Sequence, residues 1–228
     1  MTDADVRERW RAARMTLLAK EKALTRLRDE IAADRRALPH VPVENYLFDG
    51  PRGKVSLSDL FNSKSQLIVY HFMLGPNAEN PCKSCSFWAE HFDAIRVHLP
   101  HRDAELAAVS RAPIAKVEWV RERMGWRFPW VSSHANSFNF DFRVSFTNEQ
   151  GGQKLYNFDT QSASEGELPG LSVFERDADG ALFHTYSTYA RGLDALNGTY
   201  QMIDLLPKGR NEDGKGMAWL RYKDRYAV

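Results

Sequence analysis

The sequence has few cysteines and almost no net charge. It contains two cysteines among 228 residues and carries a formal net charge of +1. So few cysteines exclude a small secreted scaffold held together by disulfides. A balanced charge excludes a global field that would attract polyanions or lipid headgroups. We therefore expect no nucleic acid and no membrane among the partners.

The sequence also lacks long apolar runs and the common catalytic motifs. No uncharged apolar window of about 18 residues occurs, and residues 1–14 carry mixed charge where a signal peptide would have an apolar core. A Gly-rich phosphate loop, a serine elbow and an HExxH motif are absent as well. We expect a cytoplasmic protein without an organic cofactor. In a reducing compartment a close cysteine pair indicates redox or metal chemistry.

The two cysteines stand together as Pro81-Cys82-Lys83-Ser84-Cys85. The apolar run 66–74 before them predicts a central strand that is buried on both faces. After them, apolar residues recur every three or four positions and predict a helix; they are Cys85, Trp88, Phe92, Ile95 and Leu99. Cys85 belongs to this apolar stripe and should be buried. Cys82 should lie at the start of the helix, directly after a strand.

A cysteine at a helix start has the properties of a nucleophile. The unpaired N–H groups and the positive end of the helix dipole favour the thiolate of Cys82, and Lys83 is expected to add to this effect. Cys82 would attack a disulfide, and Cys85, one turn later, would resolve the mixed disulfide. Lys83 and Ser84 would tune the redox potential. The predicted partners are a protein or small-molecule disulfide and a reductant that the sequence does not identify.

The N-terminal segment is predicted to form a helical arm over residues 1–40. Apolar residues recur there every seven positions, namely Trp10, Leu17, Leu24, Ile31 and Leu38. A single amphipathic helix leaves such a stripe in water. Two interpretations remain open: an arm that docks on its own domain, and a homodimer formed through this helix.

The rest of the chain predicts a domain over residues 41–207 and a tail over 208–228. The order of elements is a strand, the dithiol helix, a strand, a helix, a hairpin turning at 177–180 and a final helix over 193–206. Strands that alternate with helices predict an α/β fold, and the hairpin makes the central sheet mixed. This order resembles the thioredoxin fold, a three-layer α/β/α arrangement.

An insertion around 134–167 is predicted within this domain. Phenylalanine and valine alternate with polar residues over 138–146, which predicts a half-buried β-strand, and 147–167 is predicted to be a loop. We therefore expect a Phe-rich β insertion.

The thioredoxin resemblance implies roles for a few more residues. In thioredoxin-like proteins a cis-proline precedes the hairpin strand and presents backbone to the substrate, and Leu168 and Pro169 occupy that place here. His71 lies in the predicted central strand, where it is either a proton acceptor under the dithiol or, more simply, a core histidine. Trp88 is most simply a core residue as well. Pro81 precedes the nucleophile.

A zinc site is the alternative for the cysteine pair. Cys82 and Cys85, with His98 and His101, approach the spacing of a Cys2His2 finger. If residues 86–97 form one helix, roughly 18 Å separates the cysteines from His98, which is too far for shared ligation. No metal site is therefore expected.

Several stretches of the sequence resemble a known family. They are Leu17-Leu18-Ala19-Lys20-Glu21-Lys22, Arg35-Arg36-Ala37-Leu38-Pro39, Val69-Tyr70-His71-Phe72-Met73, residues 81–88, residues 186–192 and residues 205–210. The chain is similar to the bacterial thioredoxin-like domain of unknown function 899, often described as predicted dithiol–disulfide isomerases. The resemblance implies a thioredoxin-like fold and a thiol–disulfide oxidoreductase.

Two departures from better-known relatives keep other functions open. The pair is Cys-Lys-Ser-Cys where thioredoxin has Cys-Gly-Pro-Cys. Glu79 stands three residues before Cys82, where peroxiredoxins have threonine. A thiol peroxidase that uses Cys82 is therefore a weaker alternative. A redox-sensing or binding module without catalysis is another.

Overall fold

The computed structural model describes residues 2–147, 153–162 and 166–227, and it divides the chain into two compact units, 1–40 and 41–228. The first unit is the helix α1 (Asp3–Arg36). Thr2 and Asp5 form a capping box at its start. No residue of α1 is buried, since a single helix cannot cover its own apolar stripe.

The second unit contains the remaining helices and all strands of the described residues. The helices are α2 (Leu57–Leu60), α3 (Lys83–Ile95), α4 (Ile114–Met124), α5 (Phe138–Asp141) and α6 (Gly198–Ile203). The strands are β1 (Val41–Pro42), β2 (Leu47–Gly50), β3 (Gly53–Ser56), β4 (Gln66–His71), β5 (Ala104–Ser110), β6 (Trp130–Ser132), β7 (Ser145–Phe146), β8 (Gln153–Tyr156), β9 (Asp159–Ser162), β10 (Gly166–Glu167), β11 (Gly170–Arg176) and β12 (Leu182–Tyr189). Short 3-10 helices cover Leu99–Arg102, Ala190–Leu196, Gly216–Trp219 and Lys223–Arg225.

The central sheet of the described residues has the strand order β1-β12-β11-β4-β5-β6-β2-β3. Strands β4, β5 and β6 are parallel. Strand β11 pairs antiparallel with β4 and forms an antiparallel hairpin with β12. The strand that leads into the dithiol helix thus lies between its parallel successor β5 and the hairpin. This is a thioredoxin-like α/β fold with a mixed sheet, and the prediction of its class is confirmed.

Alternate residues of β4 face two separate cores. Tyr70 packs with Cys85 and Trp88 of α3 in one core, which also includes residues of α4 and α6. Leu67 and Val69 pack in the other, with residues of α2 and α5. Helices therefore cover both faces of the sheet, and the dithiol helix lies on the face that Tyr70 contacts.

Local sequence signals explain several element boundaries. Ser56 and Asp59 form a capping box at the start of α2. Gly125 ends α4 at φ +62°, a left-handed conformation that glycine adopts without strain. Asp177 accepts the N–H groups of Asp179 and Ala181 in the turn between β11 and β12.

The Phe-rich segment is not the predicted β-strand. Residues Phe138–Asp141 form the short helix α5, and only Ser145–Phe146 are extended, as β7. Asn136 accepts the N–H of Phe138 through its side chain, which turns the chain at the helix start. Phe138 and Phe142, four residues apart, then both reach the core. Aromatic residues that alternate along the chain also recur at a spacing of four, so the pattern agreed with a helix as well as with a strand.

Two further predictions of local structure are wrong in part. The predicted loop 147–167 contains the hairpin β8–β9 and the strand β10, which pairs with β7; residues 148–152 and 163–165 lie outside the described residues. The predicted final helix is interrupted at Asn197. Its side chain accepts the N–H of Tyr200 and starts the new helix α6.

Candidate active site

The cysteine pair lies at the junction of β4 and α3. Cys82 is the N-cap residue of α3, in an extended conformation, and its Sγ accepts the N–H of Cys85 at 3.4 Å. Its carbonyl accepts the N–H and the hydroxyl of Ser86, both at 2.9 Å. The first turn of α3 thus uses the thiol where most helices use Ser, Thr or Asp. Both cysteines are free thiols in this structure.

The surroundings of Cys82 stabilise its thiolate. A hydrogen bond from the Cys85 side chain is the largest cause of a pKa lowered to about 6; burial opposes it, and the N–H groups of Cys85 and Ser84 add to it. Hydrogen bonds to the charged form of a group lower the pKa of an acid. The charge of exposed Lys83 is not among these principal causes. A thiol with this pKa is mostly thiolate at neutral pH.

Cys85 has the opposite environment. It is 1% exposed and packs in the core between β4 and α3. Burial raises its pKa, and the neighbouring Cys82 raises it further. Its Sγ accepts the N–H of Met73 at 3.5 Å. The pair therefore combines an acidic, half-buried thiol with a protonated, buried one.

The C-terminal tail contacts the residue before Cys82. Tyr222 donates its hydroxyl to the carbonyl of Pro81 at 2.8 Å. Asp224 forms a two-pronged ion pair with Arg123 of α4, at 2.9 and 3.1 Å. The tail therefore holds the backbone directly before Cys82. In the sequence, the tail showed only aromatic residues that could serve as anchors.

An apolar pocket of about 250 Å³ lies beside Cys85. Ser84, Trp88 and Pro169 line it together with Met73 and Cys85. The structure thus brings four of the predicted site residues to one cavity. Trp88 is buried and donates its indole N–H to a backbone carbonyl of the 3-10 helix 190–196. This hydrogen bond fixes the position of the Trp88 ring where it lines the pocket.

A larger and more polar pocket of about 550 Å³ lies beside Cys82. Among the described residues, the charged side chains that line it are Arg111 and Glu167, which form an ion pair at 3.4 Å. Neither residue was predicted from the sequence as part of the site. Arg111 directly follows β5, so its place at the carboxyl edge of the parallel strands was a signal that could have found it. Glu167 arrives through the pairing of β10 with β7, which no local pattern indicates.

Three predicted site residues lie away from the thiols or differ from expectation. His71 faces the other core, stacks on Phe142 and hydrogen-bonds Ser172 at 2.8 Å, so it is a core histidine and not a proton acceptor under the dithiol. The described residues contain no cis peptide bond, and the Leu168–Pro169 bond is therefore trans and not the expected cis. Trans is the favoured isomer by about 0.5–1 kcal/mol. Leu168 donates its N–H to Val144 at 2.8 Å, beneath the site.

The described residues contain no group of three or more metal-ligating side chains. Helix α3 runs from Lys83 to Ile95 and contains Cys85, while His98 lies beyond the end of this helix. Among these residues there is also no helix with the length and apolarity needed to cross a membrane.

Comparison with protein families identifies the chain. The family model DUF899, described as a bacterial protein of unknown function, matches residues 1–226. The chain belongs to this family. The resemblance inferred from the sequence motifs is thus confirmed over nearly the whole length. The DUF899 description assigns no activity, and no curated protein matches the chain.

Solved structures similar to this DUF899 protein are remote in sequence. Peroxidoxin BcpB from Mycobacterium tuberculosis is 14% identical, with 73% of this chain and 97% of that chain covered and a TM-score of 0.48. Peroxiredoxin Q from Xanthomonas campestris is 15% identical, with 69% and 90% covered and a TM-score of 0.48. At these values the likeness carries no argument about activity, and the fold assignment rests on the strand order.

Proposed function

We propose that this protein is a thiol–disulfide oxidoreductase that uses Cys82 and Cys85. The observation that carries the proposal is the N-cap position of Cys82, whose Sγ accepts the N–H of Cys85 at 3.4 Å. This position supplies an ionised sulfur that is partly accessible, with a second thiol one helical turn away. Few structural roles need a thiol with a pKa of about 6, because ordinary core cysteines are protonated.

The reaction follows from these two environments. The Cys82 thiolate attacks one sulfur of a disulfide; the S–S bond breaks, a mixed disulfide forms, and the first thiolate leaves and takes a proton from water. Cys85 then loses its proton and attacks the Cys82 sulfur, which releases the second thiol. The substrate has gained two electrons and the protein holds a Cys82–Cys85 disulfide. An external dithiol reductant restores the pair.

The test compares two serine variants in a single turnover. The reduced protein is mixed with hydroxyethyl disulfide, and the products are resolved by mass spectrometry. Wild type should form the internal disulfide, Cys85→Ser should accumulate the mixed disulfide on Cys82, and Cys82→Ser should react at the rate of an ordinary buried thiol or slower. A Cys82→Ser variant as reactive as wild type, or an inert wild type, would refute the proposal.

A thiol peroxidase is the second candidate, because the Cys82 thiolate opens into a polar pocket that can admit a peroxide. Cys82 would attack the peroxide, the O–O bond would break, and an alcohol would leave; Cys85 would then condense with the sulfenic acid and release water. Glu79, at the position of the peroxiredoxin threonine, does not line this pocket. Peroxide consumption faster than disulfide reduction, and absent in Cys82→Ser, would favour this candidate. Reversible disulfide formation without either turnover would favour a redox-sensing module.

A further inference from the structure

The pocket beside Cys82 has the size of a small-molecule site. Its volume of about 550 Å³ lies within the range of about 300–1,000 Å³ for sites that bind drug-sized ligands. Its walls come from separate parts of the chain: the loop 75–80, Cys82, Arg111, and the ends of the paired strands β7 and β10. A substrate that reaches Cys82 from this side therefore enters a pocket that Arg111 and Glu167 also line.

Arg111 keeps hydrogen-bonding capacity for a ligand. Its guanidinium lies over the ring of Phe140, with 4.3 Å to the ring centre, and its side chain is 20% exposed. One terminal nitrogen reaches Glu167 at 3.4 Å, a long contact for an ion pair. The Nε atom is buried and has no hydrogen-bond partner within the described parts of the chain, so a ligand in the pocket would pair with the terminal nitrogens. A guanidinium stays charged in any protein environment, so the positive charge of Arg111 is balanced only in part by its neighbours.

The carboxylate of Glu167 balances the positive charge of Arg111 only in part. Its other oxygen accepts the hydroxyl of Ser145, which directs that side of the carboxylate away from Arg111. Burial raises the pKa of Glu167, although Ser145 and Arg111 oppose the shift. The carboxyl group therefore takes up a proton more readily than an exposed glutamate does. The pocket consequently favours an additional anion near Arg111.

We propose that the pocket binds the carboxylate of a small disulfide, with Arg111 as the recognising residue. The substrate class is a low-molecular-weight disulfide that carries a carboxylate a few bonds from its sulfur. The carboxylate pairs with the guanidinium while the S–S bond faces Cys82. This inference rests on the proposed thiol–disulfide exchange and assigns its specificity.

The experiment measures charge selectivity with three matched disulfides. Reduced protein is mixed in single-turnover reactions with hydroxyethyl disulfide (neutral), 3,3′-dithiodipropionate (dianionic) and cystamine (dicationic). Each rate constant is divided by that of free dithiothreitol with the same disulfide. Wild type should prefer the dianion over the neutral compound, and the neutral compound over the dication. Arg111→Gln should reduce the preference for the dianion roughly tenfold, as expected for a lost charge-assisted hydrogen bond.

Two variants separate recognition from general electrostatics. Arg191→Gln removes an arginine from the rim of the other pocket, where its side chain is 88% exposed, and should leave the preference unchanged because water screens that charge. Glu167→Gln should increase the preference for the dianion, since it removes the competing carboxylate. An unchanged preference in Arg111→Gln, or an equal loss in Arg191→Gln, would overturn the inference.

A measurement on wild type covers the case in which Arg111→Gln does not fold. Cys82 is alkylated with iodoacetate, an anion, and with iodoacetamide, its neutral counterpart. The ratio of the two rates, normalised to a free thiol, should exceed one and should fall as salt is added. A ratio of one or less contradicts the carboxylate site. Failure of thiol exchange itself would show differently, as no turnover of hydroxyethyl disulfide.

Discussion

Tyr222 donates its phenolic hydroxyl to the carbonyl of Pro81 at 2.8 Å, across 141 positions of sequence. Pro81 directly precedes Cys82, so the last part of the chain holds the backbone of the candidate site. The same tyrosine ring lies under the guanidinium of Arg123, with 4.8 Å to the ring centre. The tail is thus part of the site's support.

Removal of this hydroxyl should destabilise the protein. Tyr222→Phe keeps the ring and its contact with Arg123 but loses the hydrogen bond, which contributes about 1 kcal/mol in typical cases. Urea unfolding followed by fluorescence measures the change. Tyr226→Phe is the matched control, because Tyr226 lies more exposed on the same tail and accepts only the N–H of Arg221. Equal stability losses in both variants would mean that the contact with Pro81 adds nothing specific.

The thiolate of Cys82 should titrate near pH 6. The rate of alkylation by iodoacetamide should rise to half its maximum at about that pH, given the pKa of about 6, and thiolate absorbance should follow the same curve. Cys85→Ala removes the largest cause of the shift, so the pKa should rise toward the ordinary thiol value. Lys83→Gln should move the midpoint little. A large shift with Lys83→Gln and none with Cys85→Ala would show that charge, not hydrogen bonding, controls this thiol.

The buried histidines should weaken the fold in acid. Burial, with a smaller effect of His184, lowers the pKa of His71 from 6.5 to about 3, and burial also lowers the pKa of His184 and His91. Below pH 6.5 the unfolded chain binds protons that the folded chain excludes. The contribution of His71 to stability is therefore fully present above pH 6.5 and is lost as the pH falls toward about 3, at up to about 1.4 kcal/mol per pH unit. His184 and His91 act in the same direction.

His71→Gln tests this linkage. The free energy of unfolding, measured by urea at several pH values, should depend less on pH in the variant than in wild type between pH 6.5 and the acid limit. His98→Gln, at an exposed position, should leave the slope unchanged. An identical slope in His71→Gln and wild type would contradict the assignment of this dependence to His71.

Gly170 should not tolerate a side chain. A Cβ at this position would lie 2.7 Å from the ring of Tyr189 and 3.1 Å from Val144. Gly170→Ala should therefore lower stability by about 1–3 kcal/mol, the usual cost of overpacking. Gly198→Ala is the control, since its Cβ would come no closer than 3.4 Å to His91. Thermal unfolding compares the two variants, and equal melting temperatures would refute the steric argument.

Much of the site's framework was predictable because its signals are local. The strand before the dithiol, the start of α3 at Cys82 and the burial of Cys85 all follow from apolar periodicity and helix-start chemistry over about 20 residues. The Phe-rich segment shows where such signals fail. Its alternation agreed with a strand, yet the Asn136 side chain turned the chain into α5. Short aromatic runs fit both periods, and packing decides between them.

The sequence by itself determined the strand before the dithiol, the helix that starts at Cys82 and the pairing of an acidic thiol with a buried one, because these depend on neighbours that are close along the chain. Tertiary structure alone decided that Arg111 and Glu167 line the pocket beside Cys82 and that His71 lies in the other core. It also decided that a tail tyrosine holds Pro81. These relationships depend on strand order, on β-strand register and on contacts between residues distant along the chain. Local sequence preferences do not indicate which distant residues come into contact.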